Sequence, residues 1–121
     1  MPDSSQNFYN KILGSAGEKR AADYLKKRGY KIIARNYRTP FGEADIVAGE
    51  KKSGDTVFVE VKTRTNDGFS TPAAAVTKEK QKRYRQIAKY YMANVGEEIA
   101  VRFDVVEVLG EEINHIIGAF Y

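Results

Sequence analysis

The stretch Thr56-Val57-Phe58-Val59-Glu60-Val61-Lys62-Thr63-Arg64 decides the fold. It alternates as a β-strand does: Val57, Val59 and Val61 face one side, and Phe58, Glu60, Lys62 and Arg64 face the other. A glutamate and a lysine two apart thus share one face of a strand rich in valine. Upstream, Glu43 to Ala48 alternates too, with Ala44, Ile46 and Ala48 on one side and Glu43, Asp45 and Val47 on the other. Between them Gly49 to Asp55, with two glycines, a serine and two lysines, reads as a hairpin connection. Before them Tyr30 to Tyr37, rich in β-branched and aromatic residues, reads as a strand, and Thr39-Pro40-Phe41-Gly42 as the turn that follows it.

Outward from these strands the pattern becomes helical. Gly14 to Arg28 is amphipathic, with Ala21, Ala22 and Leu25 in a stripe that Glu18 joins at spacings of three, four and seven, and Gly29 stops it. After a polar loop at Thr65 to Thr71, a long helical segment runs from Pro72 to Asn94 and is broken by Gly96. Ala100 to Leu109 and Ile113 to Phe120 are strands joined by the turn Gly110-Glu111-Glu112. The order α-β-β-β-α-β-β predicts an α/β sandwich: a central sheet flanked by helices, opening on an antiparallel hairpin. A helix between the third and fourth strands permits a parallel crossover there, so the sheet is expected to be mixed. The 121 residues suit a single domain, with residues 1–10 as a flexible N-terminal segment.

Composition removes many chemistries. The chain has no cysteine and one histidine, His115, which excludes disulfides, thiolate metal sites, thiol nucleophiles and any site needing two imidazoles. Carboxylate, lysine and arginine chemistry remains. The longest apolar run, Ile116 to Tyr121, is far short of the ~18 residues of a membrane span, and the first residues lack a basic start and an apolar stretch. A cytoplasmic protein without a membrane partner is the expectation. Charge is uneven: Lys78, Lys80, Lys82, Arg83, Arg85 and Lys89 stand against Glu79 alone, more than the whole net charge of +4, so the remainder is net negative. Such a cluster is a candidate footprint for a polyanion such as nucleic acid, or else a solvated helix face.

Charges inside apolar segments need partners, because desolvating an ion costs several kcal/mol. Asp45 lies within Ala44-Asp45-Ile46-Val47-Ala48, and Glu60 and Lys62 interrupt the valine strand. If the two strands pair through the hairpin, Asp45 reaches the face of Glu60 and Lys62. Two carboxylates without histidine or cysteine form a hard oxygen site suited to Mg²⁺ or Mn²⁺. A lysine beside it can orient an attacking water, which points to metal-assisted phosphodiester hydrolysis. A lone Glu-x-Lys, however, is also common as a cross-strand ion pair on a wet face.

Asp45…Glu60-x-Lys62 resembles the D…E-x-K motif of the restriction-endonuclease-like nuclease fold, and Glu18 matches the extra helix glutamate of its archaeal Holliday junction resolvase branch. Gly17-Glu18, Arg35-Asn36-Tyr37-Arg38, Gly42-Glu43-x-Asp45, Val57 to Arg64, Arg102-Phe103-Asp104-Val105-Val106 and Ala119-Phe120 resemble a widespread bacterial family of small predicted endonucleases related to those resolvases. The resemblance runs from about Gly14 to Phe120. It implies a restriction-endonuclease-like core, Asp45 and Glu60 as metal ligands, Lys62 as the water-positioning lysine and Glu18 as an auxiliary acid. It also implies a Mg²⁺- or Mn²⁺-dependent endodeoxyribonuclease acting on DNA, branched or junction DNA included. The alternative is a non-catalytic nucleic-acid-binding module or subunit that keeps the fold.

Arg35, Arg38 and Arg64 flank the site and can hold phosphates, or pair with Glu43 and surface carboxylates instead. Lys78, Lys82 and Arg83 belong to the basic segment, as do Lys80 and Gln86, at positions where similar nucleases place a Lys or Gln near the scissile phosphate. Tyr84, Tyr90 and Tyr91 either stack on bases or pack against the sheet. Asp104 is expected to anchor Arg102 or nearby backbone, and His115 to be structural or exposed. The final strand is a candidate edge through which a homodimer forms.

Overall fold

Helix α1 (Ser4–Lys27) is followed by β1 (Tyr30–Thr39), β2 (Gly42–Glu50), β3 (Thr56–Arg64), α2 (Lys78–Val95), β4 (Val101–Leu109) and β5 (Glu112–Phe120). This computed structural model describes residues 4–65, 68, 69, 71 and 74–121, with side chains from Leu13 onward. The sheet order is β1-β2-β3-β4-β5. Three neighbouring pairs are antiparallel and β3–β4 is parallel, the crossover being made by α2. The expected mixed sheet with helices on it is therefore present.

The alternation of β3 is borne out by the two cores. Val57 and Val59 join Ile46, Ala48, Val106 and Val108 under α1, which contributes Ala21, Ala22 and Leu25. Phe58 joins Val47, Phe103, Val105 and Phe120 under α2, which contributes Tyr84, Ile87 and Ala88. Each fully buried Leu, Ile or Phe stabilises the sandwich by roughly 1.5–3 kcal/mol.

Three sequence expectations need correction. Helix α1 begins at Ser4 rather than Gly14, and residues 1–3 lie outside the described residues. Helix α2 begins at Lys78 rather than Pro72. Thr77 is its N-cap, with an extended backbone and a side chain that accepts from Lys80 N, satisfying a donor the helix cannot. Of the expected polar loop and early helix, residues 66, 67, 70, 72 and 73 lie outside the described residues. Finally, Ala44 packs in the α2-side core with Val47, not on the side of Ile46 and Ala48. The reason is local: the β2–β3 ladder ends at Ile46↔Val59, so the strand is free to turn beyond it.

Candidate active site

Where β2 parts from β3, the main-chain N–H of Val61 is left without a strand partner. Asp45, one step past the last paired residue, supplies it: Oδ2 accepts from Val61 N at 2.8 Å. Asp45 is thereby drawn beside Glu60, the neighbour the sequence led one to expect, but through this side-chain hydrogen bond beyond the end of the ladder and not through the alternation of β2, which Ala44 breaks. On the other flank of Asp45, β1 is irregular at Asn36, whose φ of 52° is left-handed and which lies between the pairs Arg35↔Ile46 and Tyr37↔Ala44. Asparagine tolerates this conformation better than most residues.

Helix α1 closes the gap. A β-carbon at Gly17 would overlap Thr63 Oγ1, so only glycine lets the helix lie this close to the end of β3. The next residue, Glu18, then enters a cavity of about 450 Å³ whose walls include Asp45, Glu60, Val61, Thr63 and Thr65. A second cavity of about 400 Å³ shares Glu18 as a wall and adds Asn36, Arg38 and Glu43. The Asn36 amide, oriented nitrogen-inward, donates to Glu18 Oε2 and Glu43 Oε1 at 3.0 Å each.

Two of the carboxylates crowded here, Asp45 and Glu18, resist ionising. Burial, followed by the charge of Glu60, pushes Asp45 up to about 7. Burial also raises Glu18; Arg35 opposes it and the charges of Glu43 and Glu60 add to it. Glu60 is held on both oxygens: Lys80 Nζ donates to Oε1 at 2.6 Å and Tyr84 OH to Oε2 at 2.6 Å. The Tyr84 hydroxyl, pushed far up by burial and by the nearby carboxylates, remains a donor at any ordinary pH.

Among the four residues expected at the centre, Glu18, Asp45 and Glu60 share the cavity, and Lys62 does not line it. Lys62 stands on the α2 side of β3, half-buried, with no hydrogen bond or ion pair among the described residues. The lysine that touches Glu60 is Lys80, which the sequence reading placed on the basic helix, at a position where similar nucleases hold a residue near the scissile phosphate. Lys80 and Tyr84 are four apart and so share a helix face, which was the available clue; their docking on Glu60 is a tertiary fact. Asn36 had no role in that reading beyond its place in the Arg-Asn-Tyr-Arg motif.

The arginines took the ion-pair alternative in this structure. Arg35 pairs with Glu18 at 3.9 Å, Arg38 with Glu43 at 3.6 Å, and Arg64 with the buried Glu107 at 3.6 Å. Lys78, Lys82 and Arg83 are exposed along α2, and Gln86 is half-buried. Tyr84 is buried and Tyr91 packs edge-on against Phe58 and Tyr37, so these tyrosines serve the core.

Among the described residues no three Asp, Glu, His or Cys side chains are grouped so as to hold a metal by themselves. The donor set nevertheless fits a hard divalent ion. It consists of oxygens alone, Asp45 and Glu60 repel one another across a cavity, and such repulsion is what a cation relieves.

The profile of the uncharacterised protein family UPF0102 matches residues 17–108. This chain belongs to that family. A UPF0102 protein of Thermodesulfovibrio yellowstonii is 45% identical over 109 residues, covering 90% of this chain and 96% of that one. A UPF0102 protein of Lachnoclostridium phytofermentans is 49% identical over 112 residues, covering 91% and 93%. Among solved structures, a Holliday junction resolvase from Archaeoglobus fulgidus superposes with a TM-score of 0.55 at 19% identity, covering 85% of this chain and 75% of that one. That likeness assigns the restriction-endonuclease-like fold to this UPF0102 chain. No helix among the described residues is long and apolar enough to cross a membrane.

Proposed function

We propose that this UPF0102 chain is a Mg²⁺- or Mn²⁺-dependent endonuclease that hydrolyses DNA phosphodiester bonds, with branched or junction DNA among its substrates. The observation that carries the reading is the single cavity walled by Glu18, Asp45 and Glu60, in which Asp45 is pushed up to about 7 by burial and by Glu60. Asp45 and Glu60 are the residues that hold the ion. A divalent ion in such a site lowers the pKa of a bound water and offsets charge on a phosphate. Lys62 shares the strand face of Glu60 and, turned toward the cavity it does not line in this structure, would orient the water, while Glu18 in the cavity wall accepts a proton or a water hydrogen bond. Lys78, Lys82 and Arg83 on α2 hold the flanking phosphates by charge.

A second reading, a nucleic-acid-binding module without chemistry, is favoured by one observation: both oxygens of Glu60 already have donors. One experiment separates them. Purified protein is incubated with linear, flapped and four-way DNA at millimolar Mn²⁺, beside Glu60→Gln and Lys62→Ala. The nuclease reading expects nicking that falls about 100-fold or more in both variants. Cleavage undiminished in either variant sinks the mechanism. Salt-dependent DNA binding without metal, and without any cleavage, selects the binding module.

A further inference from the structure

We infer that helix α2 holds Glu60 with two donors of different kinds, in which Lys80 is the one displaced when a divalent cation enters and Tyr84 is the one that stays. The inference deepens the nuclease reading and rests on Asp45 and Glu60 being the cation site. A carboxylate whose side chain is only 11% exposed requires a counter-charge, and Lys80 Nζ supplies it at 2.6 Å. An ammonium and a divalent ion cannot share Glu60 Oε1, because each repels the other at that distance. The two donors differ in freedom. The Lys80 side chain is 35% exposed, on a flexible four-carbon stem in the first turn of α2. Tyr84 is 1% exposed and its ring packs edge-on against Phe120, so it leaves only if the core opens.

Two consequences follow from that asymmetry. Tyr84 occupies Oε2 and so fixes Oε1 as the oxygen presented to an ion, which makes it a positioning residue. Lys80, once displaced, lies beside the exposed Lys78, Lys82 and Arg83 at the positive end of α2 and adds one more cation to the phosphate-facing surface. Cation loading and DNA binding then favour each other, and by linkage the coupling is reciprocal.

The test is Mn²⁺ titration calorimetry on the full chain, comparing wild type, Lys80→Met and Tyr84→Phe. Lys80→Met keeps the stem and removes the competitor, so Mn²⁺ is expected to bind about tenfold tighter; Tyr84→Phe, which loses the outer hydrogen bond, is expected to bind about tenfold weaker. In the presence of Ca²⁺, the slope of log DNA affinity against log salt should steepen by about 0.9 in wild type and not in Lys80→Met. Circular dichroism checks the fold, and Lys80→Gln takes the same titration if Lys80→Met is unfolded. Equal Mn²⁺ affinity in wild type and the Lys80 variants overturns the inference. No binding to any of them overturns it together with the nuclease reading. Cleavage measured on the same preparations keeps the two apart: Glu60-dependent cleavage with equal affinities sinks only the displacement, whereas tighter binding in Lys80→Met without cleavage supports the displacement and sinks only the nuclease.

Discussion

Asp45 and Asp104 both stand where a β-ladder is irregular, and their surroundings treat them in opposite ways. Asp45 faces left-handed Asn36 at the parting of β2 from β3; Asp104 lies at the register shift between β4 and β5, where Gly118 has a φ of 63° and donates its N–H to Oδ1 at 3.0 Å. Asp104 is fully buried among hydrogen-bonding partners. Arg102 grips it with two hydrogen bonds of 2.9 Å, His115 Nε2 lies 2.7 Å from Oδ2, and Arg102 reaches on to Glu50 and Tyr30. Burial works against ionising Asp104, yet His115, Arg102 and the Gly118 N–H more than offset it and hold the carboxyl below its ordinary value. Asp45 receives one N–H and has two acids for neighbours. One aspartate is a finished structural bond; the other keeps unmet charge facing an open space. A fold that surrounds one acid with donors and gives another a single N–H makes the second the natural seat for the proposed cation.

Breaking the closed cluster should have the largest effect. Asp104→Ala leaves His115 and the Gly118 N–H without their acceptor and Arg102 with only Glu50, Asp55 and Tyr30, and is expected to cost about 3 kcal/mol in urea unfolding. The open cluster should respond with the opposite sign. Because the folded value of Asp45 is raised from 3.8 to about 7, the native state binds its proton more tightly than the unfolded chain, and stability falls as pH climbs from 4 to 7. Asp45→Asn removes that penalty. Discounted for its partial exposure, the expected gain is roughly 2 kcal/mol at pH 8 in chelator, fading toward pH 4. A destabilised variant at pH 8 would contradict the picture of unmet charge. Tyr30→Phe withdraws one oxygen from Arg102 and should cost about 1 kcal/mol by the same measurement, since Glu50 and Asp104 still hold the guanidinium. Least affected should be Arg38→Ala at the rim of the open cluster: its 3.6 Å contact to Glu43 is largely solvent-exposed, and the thermal midpoint should move by no more than about 0.5 kcal/mol equivalent.

Much of this contrast is legible in the sequence. Period-two alternation is a short-range property, so the parity that put Glu60 on the face opposite the valines could be read from β3 itself, whereas Asp45 beside it depended on the two strands pairing. Asp104 next to Arg102 in one strand pointed to an anchored pair, and the anchor is there. What escaped was set by contacts distant in sequence. The side taken by Ala44 depends on where the β2–β3 ladder ends, which no local alternation announces. The lysine that touches Glu60 depends on how α2 docks, and six bases on one helix look alike until one of them meets an acid. The start of α2 is a lesser miss: Thr77, immediately before a charged helical run, is a capping residue that helical periodicity alone passes over.

The sheet order itself has a kinetic consequence. Strand neighbours in space are strand neighbours in the chain throughout β1 to β5. The β1–β2–β3 meander can therefore pair by local hairpin closure while the rest of the chain is still being synthesised, and Glu18, Asp45 and Glu60 all belong to that first half. The parallel β3–β4 pair has to wait for α2, and with α2 come Lys80 and Tyr84. A nascent chain halted before α2 would therefore carry Glu18, Asp45 and Glu60 without the two donors that hold Glu60 in the finished fold.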